Sequence, residues 1–321
     1  MRPTLAGMRR VLALVAAAAM VAGSIAIRSR LDRNEEERTN PVRVVCAAEL
    51  GPVCDALRRT GAHVTIEGAG TTADRLGRAS EEEPGVDGWL VPAPWPQIVD
   101  GRRRQASLLP LFADVGAPIA RSPLVLVVEK ALADRIGPRC AGPVGWKCLG
   151  EQAGTARPRH PEPSTAFGAL ILGQATAAWF GRVDNLSTFD LDDPGFAKWF
   201  QALERAAPPT ASGGSPLEEM LGTTFATYNA VGTIEAEAVP VVGTSALRER
   251  VTVLYPEPMA TADVVLAGAA GRLRTNDSVR KAFRDAGWRV DGAGPPGAPA
   301  LPPTNGLPSP GFLDALRERR P

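Results

Sequence analysis

The chain has 321 residues, 44% hydrophobic and 22% charged, a globular balance sufficient for one large domain or two lobes with separate cores. A net charge of +1 without a basic stripe argues against a nucleic-acid partner. Residues 1 to 33 hold six Arg and one Asp, and removing these from totals of 36 and 35 leaves 30 basic and 34 acidic residues, a net of −4.

The first element is Val11 to Ile27, seventeen residues without a charge between Arg2, Arg9, Arg10 and Arg28, Arg30, Arg33. Such a segment targets a membrane, either as an uncleaved single-pass anchor or as a signal peptide cut near Ala22-Gly23-Ser24. No Cys lies near its end, so a lipid anchor is excluded. Residues 1–30 are therefore read as anchor or signal and 31–40 as a tether. The remainder is expected outside the cytoplasm, at the cell membrane or secreted if the segment is cleaved. Cysteine usage agrees, with Cys46 and Cys54 spaced like Cys140 and Cys148. Four cysteines allow three connectivities; nearest-neighbour pairing closes short loops and suits an oxidising compartment. No zinc spacing appears, and His63 and His160 are the chain's two histidines, so neither a metal nor another cofactor is expected.

Beyond the tether, Val42 to Ala47 reads as a strand and Glu49 to Thr60 as a helix stopped by Gly61. His63 to Glu67 alternates as a strand. Gly68-Ala69-Gly70-Thr71-Thr72 then leads into a helix whose free N–H groups and hydroxyls suit a polar or anionic ligand. Glu81-Glu82-Glu83-Pro84-Gly85 is a connector, Val86 to Val91 a third strand, and Trp95 opens a short helix. Pro123-Leu124-Val125-Leu126-Val127-Val128 is an apolar run without alternation, a strand buried on both faces. Ala131 to Ile136 adds a helical turn, and Trp146-Lys147-Cys148-Leu149 falls in a stapled loop. The prolines of 157–163 bar a helix interior. Ser164-Thr165 caps an apolar helix, Ala166 to Phe180. Helices follow at Lys198 to Ala206 and Leu217 to Gly222, then a loop around Gly232-Thr233-Ile234-Glu235 and a strand, Val251 to Pro256. Ala262 to Ala267 repeats the buried-strand character, and Asp277 to Ala286 is helical. Residues 291–310 are dense in Pro and Gly and read as extended or loose chain, with one last amphipathic helix, Phe312 to Arg319.

In order, Ala47-Ala48-Glu49-Leu50, Gly68-Ala69-Gly70-Thr71, Asp87-Gly88-Trp89-Leu90, Ser122-Pro123-Leu124, Trp146-Lys147-Cys148-Leu149, Pro163-Ser164-Thr165-Ala166-Phe167-Gly168, Gly232-Thr233-Ile234-Glu235 and Tyr255-Pro256 resemble the type 2 periplasmic-binding-protein fold. They are particularly similar to actinobacterial extracellular solute-binding domains that often precede a von Willebrand A domain. The resemblance covers about residues 42 to 290 and rests on the order of the motifs. Unlike the fused relatives the chain ends at Pro321 without the metal-binding adhesion domain, and it lacks the lipobox of transport receptors. The resemblance implies an α/β fold of two lobes joined by two crossover strands, lobe 1 over about 41–120 and 262–290 and lobe 2 over about 125–260, with residues 291–321 as a tail. It implies a hinged cleft holding a small polar or anionic solute, with a permease or a von Willebrand A protein as partner. Cleft positions carried over are Ala48, Glu49, Gly70, Thr71, Thr72, Ser122, Ser164, Thr165, Glu235 and Tyr255. Trp89 and Trp146 read as core aromatics. A carboxylate in the cleft argues for a cationic or donor ligand, while the helix ends argue for an anion.

Two other functions compete. No GxSxG, HExxH or P-loop pattern is present, so an enzyme would have to rest on a carboxylate pair such as Glu235 with Glu237 or Asp192 with Asp193. A membrane-tethered interaction module with a degenerate cleft is the other. The expectation is a binder without catalysis.

Overall fold

The computed structural model describes residues 41–79, 85–206 and 214–319. The expected membrane segment, the tether, Glu81 to Pro84 and most of the loop before Ser215 lie outside these residues. Among the described residues no helix is long and apolar enough to cross a membrane.

Lobe 1 begins with β1 (Arg43–Ala47), α1 (Pro52–Arg58), β2 (His63–Glu67), α2 (Ala69–Arg78), β3 (Gly88–Ala93) and α3 (Trp95–Gln105). β1 runs parallel to β2 and β3, so each βαβ unit places its helix N-terminus at the same edge of the sheet. The apolar run predicted as a buried strand is β4 (Ala120–Glu129), and it joins the lobes. Its first residues pair antiparallel with the return strand β8 (Thr261–Gly268), and Leu124 to Val128 pair with β6 (Ala230–Ile234) in lobe 2. β8 also pairs with β3. The sheet order is β2-β1-β3-β8-β4-β6-β5, with β7 (Val251–Leu254) paired to β4 and β5 (Pro158–Arg159) to β6. β4 alone pairs with strands of both halves, β8 on one side and β6 and β7 on the other, so the α/β structure is built on one continuous eight-stranded sheet.

Lobe 2 adds α4 (Lys130–Ile136), α5 (Trp146–Glu151), α6 (Gly168–Phe180), α7 (Pro194–Arg205), α8 (Pro216–Gly222) and α9 (Glu235–Thr244). Val125, Val127, Leu217, Met220, Tyr228 and Val231 build one core cluster there, where β4 is covered on both faces. Trp89 and Trp146 are core residues at 0% and 1% exposure, as read from the sequence. The two disulfides are Cys46–Cys54 and Cys140–Cys148, with Cα separations of 5.8 and 5.4 Å. After β8 the chain forms α10 (Asp277–Asp285) against α1, and ends in α11 (Pro310–Glu318).

Several boundaries differ from the sequence reading. Trp146 to Glu151 is a helix, not a loop: the indole Nε1 bonds Gln174 Oε1 at 3.2 Å and anchors the turn in the core. α6 starts at Gly168, two residues late, because the proline-rich chain before it folds back on the helix and Thr165 Oγ1 accepts the Gly168 N–H at 3.1 Å. Gly232 to Ile234 belongs to β6, and Glu235 opens a helix instead of lying in a loop. Residues 291–309 form no helix or strand, as expected of extended chain, and are mostly exposed, but they are tethered by hydrogen bonds. Arg121 donates to the carbonyls of Pro302 and Thr304 at 2.9 and 3.0 Å, Arg289 to that of Pro299 at 2.7 Å, and the Thr261 N–H to Asn305 at 2.9 Å. Two hinge arginines thus hold the tail along the crossover strands.

Candidate functional site

The lobes meet along a seam made by residues 161–167 of lobe 2 and the helix ends of lobe 1. Cys46–Cys54 ties the end of β1 to α1 and fixes the turn Ala48–Leu50 between them. From that turn Glu49 reaches lobe 2, where its Oε1 accepts the Ala166 N–H at 2.7 Å. The Ala166 carbonyl accepts from Trp95 Nε1 at 3.0 Å, and the Ser164 carbonyl from the Gly70 N–H at 2.9 Å. A Cβ at position 70 would lie 2.5 Å from that Ser164 oxygen, so only glycine admits the approach.

Beside the seam lies a cavity of about 670 Å³, within the usual range for small-molecule sites, about 300–1,000 Å³. Its walls include Leu50, Phe167, Ile234 and Trp288 together with Glu49, Glu162 and Glu237, and among the described residues no Lys, Arg or His lines it. Phe167 and Trp288 pack as one aromatic wall, ring centroids 5.9 Å apart. Glu162 is neutralised by Arg159. The Glu237 carboxylate accepts hydroxyl hydrogen bonds from Ser215 and Thr233, and no cation pairs with it among the described residues. Burial pushes the Glu49 carboxyl upward in pKa, opposed by the N–H groups of Ala166, of Glu49 itself and of Ala69.

The sequence-predicted positions divide sharply. Glu49 and Thr165 line the cavity. The Gly70 N–H is engaged by lobe 2, the Thr72 hydroxyl donates to Glu67 Oε2 at 2.6 Å, and buried Ser122 accepts the Ala236 N–H at 3.0 Å. Ala48 and Thr71 are exposed and outside the cavity. Ser164 lines a separate, polar cavity of about 790 Å³ with Arg78, Arg102, Arg317 and Glu204. Glu235 is buried at the hinge, 1% exposed, in a bidentate pair with Arg289 whose Nε bond is 2.7 Å. Tyr255 OH donates to Glu235 at 2.7 Å, and burial together with that carboxylate pushes its pKa up to about 12. This triad joins lobe 2 to the chain leaving α10 and holds the hinge.

Neither carboxylate pair considered for hydrolysis faces a shared space. Glu235 is locked by Arg289 away from Glu237; Asp193 caps α7 through the Phe196 N–H at 2.7 Å, and Asp192 pairs with Arg319 at 3.1 Å. No group of three or more potential metal ligands occurs among the described residues. Sequence reasoning missed Phe167, Trp288 and Ser215 as cavity residues. Ser215-Pro216 carried a helix-cap signal, but nothing local marks Trp288, which follows a helix as a lone aromatic.

No family model matches the chain, and no curated protein matches it. Solved structures do. A periplasmic thiamin binding protein superposes with a TM-score of 0.52 at 15% identity, covering 86% of this chain and 92% of that one. The periplasmic binding protein AfuA from Actinobacillus pleuropneumoniae, with exogenous fructose-6-phosphate bound, superposes with a TM-score of 0.51 at 12% identity, covering 86% and 93%. The chain therefore has a periplasmic-binding-protein-like fold.

Proposed function

We propose that the chain is a non-catalytic, extracytoplasmic binding protein, held at the membrane by residues 11–27, that takes a small solute with an apolar body and a positive group into the cavity between its lobes. The observation that carries this is the Glu237 carboxylate, without a counter-charge among the described residues, in a cavity also lined by Phe167 and Trp288. An ammonium or similar cation gains from both, through the carboxylate and through the ring faces. The anionic solute implied by the helix ends has less support, because the Gly70 and Ala166 N–H groups already have partners. Delivery to a permease, or to a separate von Willebrand A protein, is the role such a receptor would serve.

A thermal-shift screen of the full-length chain with alkyl and aromatic ammonium ions, neutral sugars and sulfate tests this. A solute at about a hundred times its dissociation constant adds roughly 2.7 kcal/mol to stability. Ammonium ions are expected to raise the melting temperature, and Glu237→Gln to weaken that binding tenfold or more. A response to sulfate alone overturns the cation reading. Silence throughout favours the tethered interaction module, which the self-engaged seam also suits.

A further inference from the structure

Given the cation reading of the cavity at Glu237, its walls also bear on which positive group fits. A primary ammonium brings three N–H donors, and each one buried without an acceptor costs free energy. The side-chain oxygens that line this cavity are already engaged. Glu237 Oε1 accepts from the Ser215 hydroxyl and Oε2 from that of Thr233. Ser215 Oγ itself accepts the N–H groups of Leu217 and Glu218 at 3.2 and 3.4 Å, which caps α8. Thr165 Oγ1 donates to the Glu162 carbonyl at 2.7 Å and accepts from Gly168, and Glu162 is paired with Arg159. Glu49 Oε1 holds the Ala166 N–H, and its Oε2 is buried. A carboxylate has about four lone-pair sites, so Glu237 with its two hydroxyl partners has fewer left than three N–H donors need. Among the described residues the rest of the lining is mostly apolar, with Leu50, Pro52, Pro216 and Ile234 beside the Phe167 and Trp288 rings. Such side chains receive methyl groups and have no acceptor for an N–H.

We propose that the positive group of the solute is an N-methylated ammonium, and that Ser215 and Thr233 set this choice by occupying acceptor sites of Glu237. Methyl groups on nitrogen share its charge, need no acceptor, and lie against ring faces and aliphatic side chains. The carboxylate then supplies charge alone, so hydroxyls that fill its lone pairs cost such a guest little and a primary amine much. Thr233 is 2% exposed within β6 and Ser215 is fixed as the cap of α8, so both hydroxyls are held on Glu237.

Calorimetric titration of the full-length chain with benzylammonium and benzyltrimethylammonium tests this. The parent is expected to bind the trimethylated ion at least tenfold more tightly. Thr233→Val keeps the side-chain shape and frees Glu237 Oε2, so it should bring the ratio to threefold or less by strengthening benzylammonium binding. If that variant does not fold, Ser215→Gly frees Oε1 instead, and glycine is tolerated at a helix cap. A parent that binds benzylammonium as tightly as the trimethylated ion, or more tightly, overturns the methylated preference and leaves the cation reading standing. A preference that neither variant narrows overturns the part given to the two hydroxyls. Binding of neither ion overturns the cation reading and the methylated preference with it.

Discussion

His160 is 4% exposed, and both of its ring nitrogens face oxygen atoms, Nδ1 2.7 Å from the Pro161 carbonyl and Nε2 2.7 Å from Glu204 Oε1, which both accept when Glu204 is ionised. Both nitrogens must therefore carry hydrogen, so the residue is an imidazolium paired with a buried carboxylate. Burial alone would lower the histidine pKa, but the Glu204 charge and hydrogen bond outweigh burial and the opposing Arg159, and the net shift is upward from 6.5. Glu204 moves the other way, below 4.5, because His160 outweighs the desolvation that would raise it. The histidine's contribution is complete below its unfolded value and is lost as pH rises through the raised folded value; the glutamate's is present above 4.5 and lost as pH falls through the depressed one. The pair therefore stabilises most between 4.5 and 6.5. Urea unfolding across pH should show stability declining on the alkaline side of that window in the parent. His160→Leu should cost roughly 3–5 kcal/mol inside the window, because it leaves the Glu204 charge buried without a partner. A parent profile that rises through the alkaline side would refute the imidazolium assignment. The consequence reaches the cavity, since His160 holds the Pro161 carbonyl at the start of the seam segment.

The C-terminal helix is the element that most changes the picture drawn from the sequence. α11 has the apolar face expected of it, Phe312, Leu313 and Leu316, each 2% exposed or less, and a Ser309 cap. What the sequence could not supply was its partner. It packs on α3 of lobe 1 and α6 of lobe 2 together, with Leu313 seated over Gly173 and Asp314 held by Arg102 through two bonds of 2.7 Å. Arg317 adds Asp74 at 3.0 Å. An amphipathic helix announces that it docks, but the surface it docks on is assembled from residues about 140 and 210 positions away, and periodicity carries no record of that. The same limit explains the tail before it: Pro and Gly density removes helix and sheet, yet the carbonyls they leave free are what Arg121 and Arg289 bind. Leu313→Ala should destabilise the chain by roughly 2–5 kcal/mol, by transfer and cavity terms together. It should also increase hydrogen exchange in both α3 and α6, whereas a helix that merely covers one lobe would affect that lobe alone.

At the scale of the molecule, the fold was legible and the site only in part. β4 stood out because a strand covered on both faces reads as an apolar run without alternation, and β8 repeats that character apart from Asp263. The polar groups at Gly70, Thr72 and Ser122 were legible, but their partners were not: Gly70 N–H donates to Ser164, Thr72 donates to Glu67, and Ser122 accepts from Ala236, and no local pattern encodes those choices. The seam itself makes the sharpest test. At position 70 the backbone lies in an ordinary region, so alanine brings no conformational strain; it brings a methyl group 2.5 Å from the Ser164 oxygen, and neither backbone can move without its lobe. Overpacking of this kind costs about 1–3 kcal/mol. Because the clash falls between lobes and not within one, the hinge can relieve it. Gly70→Ala is expected to keep a folded circular-dichroism spectrum, to expand in solution scattering, and to lose amide protection at Gly70 and Ala166. Thr71→Ala, one residue on and exposed, should match the parent in all three. If Gly70→Ala instead unfolds without expanding while native, the seam is part of a single rigid core; if it scatters as a separated pair of lobes, the contacts of 164–166 are what hold the cleft shut.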